Sequence, residues 1–245
     1  MLNEVSNTKN IKLDDQGTKE RLLSTALRMF AESGFDAVSI RDITNAAGAN
    51  LGAIGYYFGS KDGLIKAVMV RAEPLNALRL QSLKACERDA GERAPSVEGI
   101  VRALVEPAVR FAKDSKGDGP YFSRIYSIAS ALRPPLVLEI LRAQYDVIAL
   151  RFIDALSRAL PDVPRTVIVW RYIATVGAML QVIDDASFLN RVPKFSKGRA
   201  DSSNPDQIIN ELVPFLVGAI TAQCSPQPTR KPGSPKRSGK QRTKS

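Results

Sequence analysis

Residues 38–58 read VSIRDITNAAGANLGAIGYYF. Two short apolar-periodic stretches flank Gly48. Ile40, Ile43, Ala47 and Ile54 fall at spacings that bury one side of each stretch. Ser39 and Asp42 form a Ser-x-x-Asp variant of the capping box, which predicts a helix over about 40–47. Gly48 ends it and permits a sharp turn. Asn50 then caps a second helix that reaches to about Phe58. Gly52, Ala53 and Gly55 are small, so this second helix can lie close against another surface. Two short helices across a tight turn are what a helix-turn-helix needs to set its second helix in the major groove of DNA.

Working outward, the same helical spacing continues. Leu23, Ala26, Leu27, Phe30 and Ala31 predict a first helix stopped by Gly34. Gly59 and Ser60 mark a break, and Ser60 caps a long helix from Lys61, which Pro74 must kink or interrupt. Ser96 caps a helix over about 97–113 that contains Pro107. Another follows over about 120–131, entered through Gly117, Gly119 and Pro120. Pro134 and Pro135 open a helix to about Leu160, Pro164 one to about Leu189, and Pro205 a last one to about Ala222. Residues 191–204 read as a polar loop. No segment alternates long enough for a strand. The fold class is all-α, with about nine helices: a three-helix helix-turn-helix domain followed by a second helical domain.

The 245 residues carry a formal charge of +10, unevenly spread. Arg230, Lys231, Lys236, Arg237, Lys240, Arg242 and Lys244 give +7 to residues 225–245, which leaves +3 for the rest. Residues 18–74 hold seven basic and six acidic side chains, a net of +1. The basic segment, rich in Pro, Ser and Gly, reads as disordered over 223–245. It either adds non-specific affinity for nucleic acid or serves only solubility. Residues 1–17 read as a flexible polar arm. The chain contains no histidine. That excludes Ser-His-Asp and Cys-His catalysis, His-ligated zinc and a histidine pH switch. Cys86 and Cys224 lie too far apart for a metal motif and provide no disulfide framework, which points to a reducing compartment. No metal or cofactor site is expected. The longest apolar run, 212–220, is nine residues and includes Pro214, whereas a membrane span needs about 20. The chain is expected to be soluble and cytoplasmic, with no membrane partner.

Residues 18–66 resemble the DNA-binding domain of the TetR family of bacterial repressors. The matching pieces are TKERLLSTALRMFAESGFDAVSIRDITNAAGAN and IGYYFGSKDGLIKAV, with Phe-Gly-Ser-Lys after the Tyr pair the most specific part. The resemblance implies that Lys61, Tyr57 and Thr18 contact phosphate, that Asn50, Leu51, Gly52 and Tyr56 face the groove, and that Arg41 reaches phosphate or a base edge. Ser39, Thr44, Ala53 and Gly55 complete the expected DNA-binding set. Thr44 replaces the usual Ala, Gly55 the frequent Tyr, and Tyr57 the frequent His. Tyr56 and Tyr57 can alternatively be core aromatics, and Arg41 can pair with Asp42 or Glu32.

The same resemblance makes residues 67–222 a ligand-binding and dimerisation domain. The final two helices are apolar on more than one side, so each must be covered on several faces. They are expected to form a homodimer interface through Gly177, Ala178, Val213, Leu216 and Gly218, or else to be buried inside a monomer. Pro107, Phe111, Tyr121, Phe122, Ile125, Tyr126, Tyr145, Trp170 and Met179 are candidates for an apolar ligand pocket or for ordinary core. The stretches EPLNALRL and VRALVEPAVRFA resemble, more loosely, the subgroup with fatty-acid-responsive (PsrA-type) repressors. An acyl anion would want a cation, with Arg124 and Arg171 the candidates unless Asp184 or Glu139 pairs with them. The expected function is a non-enzymatic, dimeric, ligand-responsive repressor. It would bind palindromic double-stranded operator DNA and be released by a small apolar effector such as a fatty acid. The alternatives are an aromatic or drug-like effector and, more remotely, an all-helical enzyme or a non-specific DNA-binding protein. Against the enzyme, no Gly-x-Ser-x-Gly, P-loop or dinucleotide motif is present, and Asp184 and Asp185 diverge by about 100° on a helix.

Overall fold

The computed structural model describes residues 2–114 and 116–223. The predicted basic tail, with Cys224, lies outside these. Among the described residues there is no strand. Eleven α-helices follow one another: α1 (Leu2–Ser33), α2 (Ile40–Ala47), α3 (Gly52–Phe58), α4 (Lys61–Val70), α5 (Glu73–Ala90), α6 (Val97–Lys113), α7 (Gly119–Leu132), α8 (Pro135–Ala159), α9 (Arg165–Asp184), α10 (Arg191–Phe195) and α11 (Pro205–Thr221).

The caps are local and sequence-driven. Ser39 Oγ accepts from the Asp42 amide at 3.1 Å, and the Asp42 carboxylate accepts from the Ser39 amide at 3.0 Å, closing both halves of the capping box. The Ser39 hydroxyl, which donates to the same carboxylate at 2.6 Å, and then the Ser39 amide hold the Asp42 carboxyl below its usual pKa. Ser60 and Ser96 cap α4 and α6 by accepting from Gly63 and Gly99 amides. Gly48 takes a left-handed φ of 61° at the turn between α2 and α3, a conformation that costs a side chain-bearing residue. Asn50 Oδ1 accepts from the Gly52 amide at 2.9 Å, but the cap position of α3 falls on Leu51, without a side-chain cap bond, and the helix begins at Gly52, slightly later than predicted.

Three expectations change. Residues 2–17 belong to α1 rather than to a flexible arm. The segment contains no proline, so a helix anchored by the packed stretch from Leu22 can extend backwards at one hydrogen bond per residue. Of the two outcomes expected at Pro74, the structure shows interruption: Pro74 separates two helices rather than kinking one. It has no N–H to donate to Val70, so the ladder stops there and Pro74 becomes a first-turn residue of α5. The helix begun at Arg165 leaves α geometry at Asp185 and ends in a π turn to Leu189. The 191–204 segment contains the short α10.

Two apolar cores form. One joins α5, α6, α8, α9 and α11 around Leu83, Ile100, Phe152, Ile168 and Leu216. The other holds Leu22, Phe30, Ile43, Ile54, Leu64 and Val68 of α1–α4, and it also includes Phe122, Ile125 and Ala129 of α7 and Val137 and Leu141 of α8. The core of the first four helices therefore extends beyond the expected boundary between residues 66 and 67. An ionic clasp lies at the same place. From the α4–α5 break, Arg71 reaches Glu20 of α1 at 2.8 Å and Asp118, just before α7, at 2.6 Å. Gln144 of α8 donates to the Met69 carbonyl at 3.3 Å.

Candidate DNA-binding surface and effector cavity

α2, α3 and the start of α4 enclose an open cleft of about 640 Å³. Ser39, Arg41, Leu51, Gly55, Ser60 and Lys61 line it. Five of these were singled out from the sequence for DNA contact, and the fold gathers them on one surface. Leu51 and Tyr56 are 57% and 74% exposed, large apolar groups held out on the α3 side. Tyr57 is half-buried and packs against the core of α1–α4, with its ring 4.8 Å from that of Tyr56 in an edge-on arrangement. Asn50, Gly52 and Gly55 are exposed and Ala53 is half-buried. A Cβ at Gly55 would meet nothing within 4 Å, so the ring of Tyr56 stands beside open ground. Arg41 makes no ion pair among the described residues, because Asp42 is committed to Ser39. Lys61 opens α4, where free helix-end amides favour an anion.

Two expected contacts are placed differently. Thr44 is only 1% exposed, and its hydroxyl donates to the Arg41 carbonyl at 3.1 Å. It is a packing residue between α2 and the core, not part of the outer face. Thr18 lies within α1, well after the helix start at Leu2, so its amide belongs to the helix ladder. Its hydroxyl accepts from Arg21 at 2.9 Å, and it does not line the cleft.

Above α4 lies a cavity of about 200 Å³. Of the predicted pocket residues, Phe111, Phe122, Tyr126, Tyr145 and Met179 line it. Pro107 faces a separate groove between α5 and α6. Ile125 is fully buried in the α1–α4 core, Tyr121 lies on the surface, and Trp170 is 76% exposed. Their apolar character was legible, but not the direction each faces. The cavity also takes Met69 from the end of α4, Ala72 from the α4–α5 break and Arg79 from α5. Arg79 was missed, although Leu75, Asn76, Arg79 and Leu83 share one face of α5 by spacing and are all buried. Neither expected cation is in the cavity. Arg124 stacks 5.0 Å over the Phe188 ring, and Arg171 donates to the Ile220 and Ala222 carbonyls. Asp184 instead accepts from Ser127 at 2.9 Å.

Val213 and Leu216 are 0% and 1% exposed within the single chain, so they cannot form an interface between chains. They lie on the inner side of α11. The uncovered sides carry Val169, Trp170, Ile173, Ala174 and Gly177 on α9, and Pro214, Phe215, Gly218 and Ala219 on α11. Ala178 is half-buried beside them. The 165–189 helix is long and apolar enough to cross a membrane by length and composition, contrary to the sequence estimate, and it is mostly uncovered. Among the described residues no cluster of side chains is suited to a metal.

Residues 22–68 match the family model for bacterial regulatory proteins of the tetR family, and 102–219 match the tetracyclin repressor-like C-terminal domain. The chain is 25% identical over 199 residues to the HTH-type transcriptional regulator UidR of Escherichia coli K12, covering 77% of this chain and 92% of that one. Its fold is similar to that of a TetR family regulator from Marinobacter aquaeolei VT8, with a TM-score of 0.57, 17% identity and coverage of 85% and 97%. It is also similar to that of the fatty acid degradation regulator FadR from Bacillus halodurans, with a TM-score of 0.53, 14% identity and coverage of 84% and 97%.

Proposed function

The chain belongs to the TetR family of transcriptional regulators, which bind operator DNA as dimers, and from that membership we propose that it is a repressor released by a small molecule held in the cavity above α4. One observation carries this reading. Met69, at the end of α4, and Ala72, in the break just after it, form part of the cavity wall, while Lys61 at the other end of α4 lines the outer cleft. A molecule that spreads the cavity pushes on the helix that positions the DNA-reading face.

The division of labour follows. Residues 18–66 carry DNA contact, with Leu51 and Tyr56 at base edges and Arg41, Tyr57 and Lys61 at phosphates. Residues 67–222 carry the effector and the dimer contact, the latter through the uncovered sides of α9 and α11. A twofold dimer presents two reading heads, which suits a palindromic operator with half-sites about 34–36 Å apart. The largely apolar wall supports a small apolar effector such as a fatty acid or acyl derivative. The tyrosines in the wall favour an aromatic compound as the second reading.

Fluorescence anisotropy on a duplex selected from a random pool tests the assignment. Tyr56→Ala should lose more affinity for the selected duplex than for random DNA. Equal loss on both would remove Tyr56 from the groove. A small molecule that co-purifies, identified by mass spectrometry, should weaken binding of the selected duplex when added back. If it does not, the release mechanism fails.

A further inference from the structure

The cavity above α4 contains a charge with nothing to balance it. Arg79 is 5% exposed. Its Nε donates to the Leu104 carbonyl at 3.2 Å, which fixes the plane of the guanidinium. No carboxylate among the described residues pairs with it, and its terminal amino groups have no acceptor there. Three phenols surround it, Tyr126, Tyr145 and Tyr172. Burial pushes all three above their usual pKa, Tyr172 up to about 12, so none supplies a negative charge near neutral pH. The one carboxylate on the wall, Asp146, is exposed at the rim. Burial lowers the Arg79 pKa, yet a guanidinium starts so high that it stays protonated. A buried cation without a partner is among the costliest arrangements a fold can hold.

We propose that this cavity binds a small organic carboxylate, its headgroup gripped by the free edge of Arg79 and hydrogen-bonded by the surrounding tyrosine hydroxyls. The assignment rests on the effector reading above and narrows it. A guanidinium with one edge fixed offers its other edge to a carboxylate in a two-point contact. Phe111, Phe122, Leu75 and Met179 provide the apolar walls for the rest of the molecule. The volume of about 200 Å³ sets the size. It equals about seven waters at ~30 Å³ each, which suits a small ligand. A medium-chain acid or an aryl-acetic acid is of this size.

The test titrates octanoate and phenylacetate into the full-length protein by calorimetry, beside octanamide and phenylacetamide, which match them in shape without the charge. The acids should bind at least about tenfold more tightly than the amides. Arg79→Met should erase that preference while the protein keeps its circular dichroism and its affinity for selected DNA. Arg79→Lys, which keeps the charge but loses the fork, should retain a reduced preference; it keeps the test decisive should Arg79→Met not fold. Amides binding as tightly as acids, acid affinity unchanged in Arg79→Met, or no binding of either acid at millimolar concentration would overturn the assignment. DNA affinity is read in parallel. Acids that bind through Arg79 without releasing DNA support this site and refute the effector reading. Release by the amides alone does the reverse.

Discussion

Trp170 is the chain's single tryptophan and is 76% exposed on the outer side of α9. If α9 and α11 meet their counterparts across a twofold axis, that ring is covered in the dimer. An indole side chain buries up to about 200 Å², so about 150 Å² remains to be covered. At about 25 cal/mol per Å², that corresponds to about 4 kcal/mol per protomer as an upper value. Association and side-chain ordering oppose this burial, so the lower end of the hot-spot range, about 2 kcal/mol per ring, is the expected loss. The symmetry removes two rings at once, so Trp170→Ala should raise the dimer Kd by at least about a thousandfold. Sedimentation equilibrium over a concentration series measures this. Val147→Ala on α8, also strongly exposed at 63%, is the control and should leave the Kd unchanged. An independent signal comes from the wild-type protein. Tryptophan emission should shift to the red on dilution as the ring becomes hydrated. A Trp170→Ala dimer as tight as wild type, or an emission maximum that ignores concentration, would place the interface elsewhere.

Three further outcomes are expected. Lys61→Ala should weaken binding to every duplex alike and reduce the slope of log affinity against log salt by about one, measured by anisotropy across a salt series. Gly63→Ala puts a Cβ 1.9 Å from the Phe58 carbonyl oxygen, so it should cost about 1–3 kcal/mol and lower the Tm, whereas Gly55→Ala, with open space around it, should not; equal melting curves would contradict this packing. Thr44→Val should cost about 1 kcal/mol in denaturant unfolding through the lost hydroxyl bond, yet leave affinity for selected DNA within about twofold; a large loss would return Thr44 to the DNA face.

The parts of the fold written in short-range chemistry were legible. Ser39, Gly48, Ser60 and Ser96 act within four residues of themselves, so their sequence neighbours suffice to read them. What escaped depends on direction in space. Val213 and Phe215 are both apolar and two positions apart on α11, yet one faces the protomer core and the other faces outward. Periodicity marks an all-round apolar helix but not which side meets which neighbour. Thr44 and Tyr56 were equal candidates for DNA, and only packing separates the buried hydroxyl from the protruding ring. Arg79 escaped for the opposite reason. A charged residue on an apolar stripe suggests a surface exit, and only the surrounding helices reveal that it has none.

The shared core of α1–α4 with α7 and α8 bears on how such a regulator can be rebuilt. A DNA-reading head transplanted at the end of α4 would leave Phe122, Ile125 and Leu141 without their partners and leave its own Val68 and Met69 facing solvent. A viable chimera must exchange the inner faces of α7 and α8 along with the head. The unit that evolution or an engineer can shuffle is therefore larger than the unit that touches DNA, and it is discontinuous along the chain.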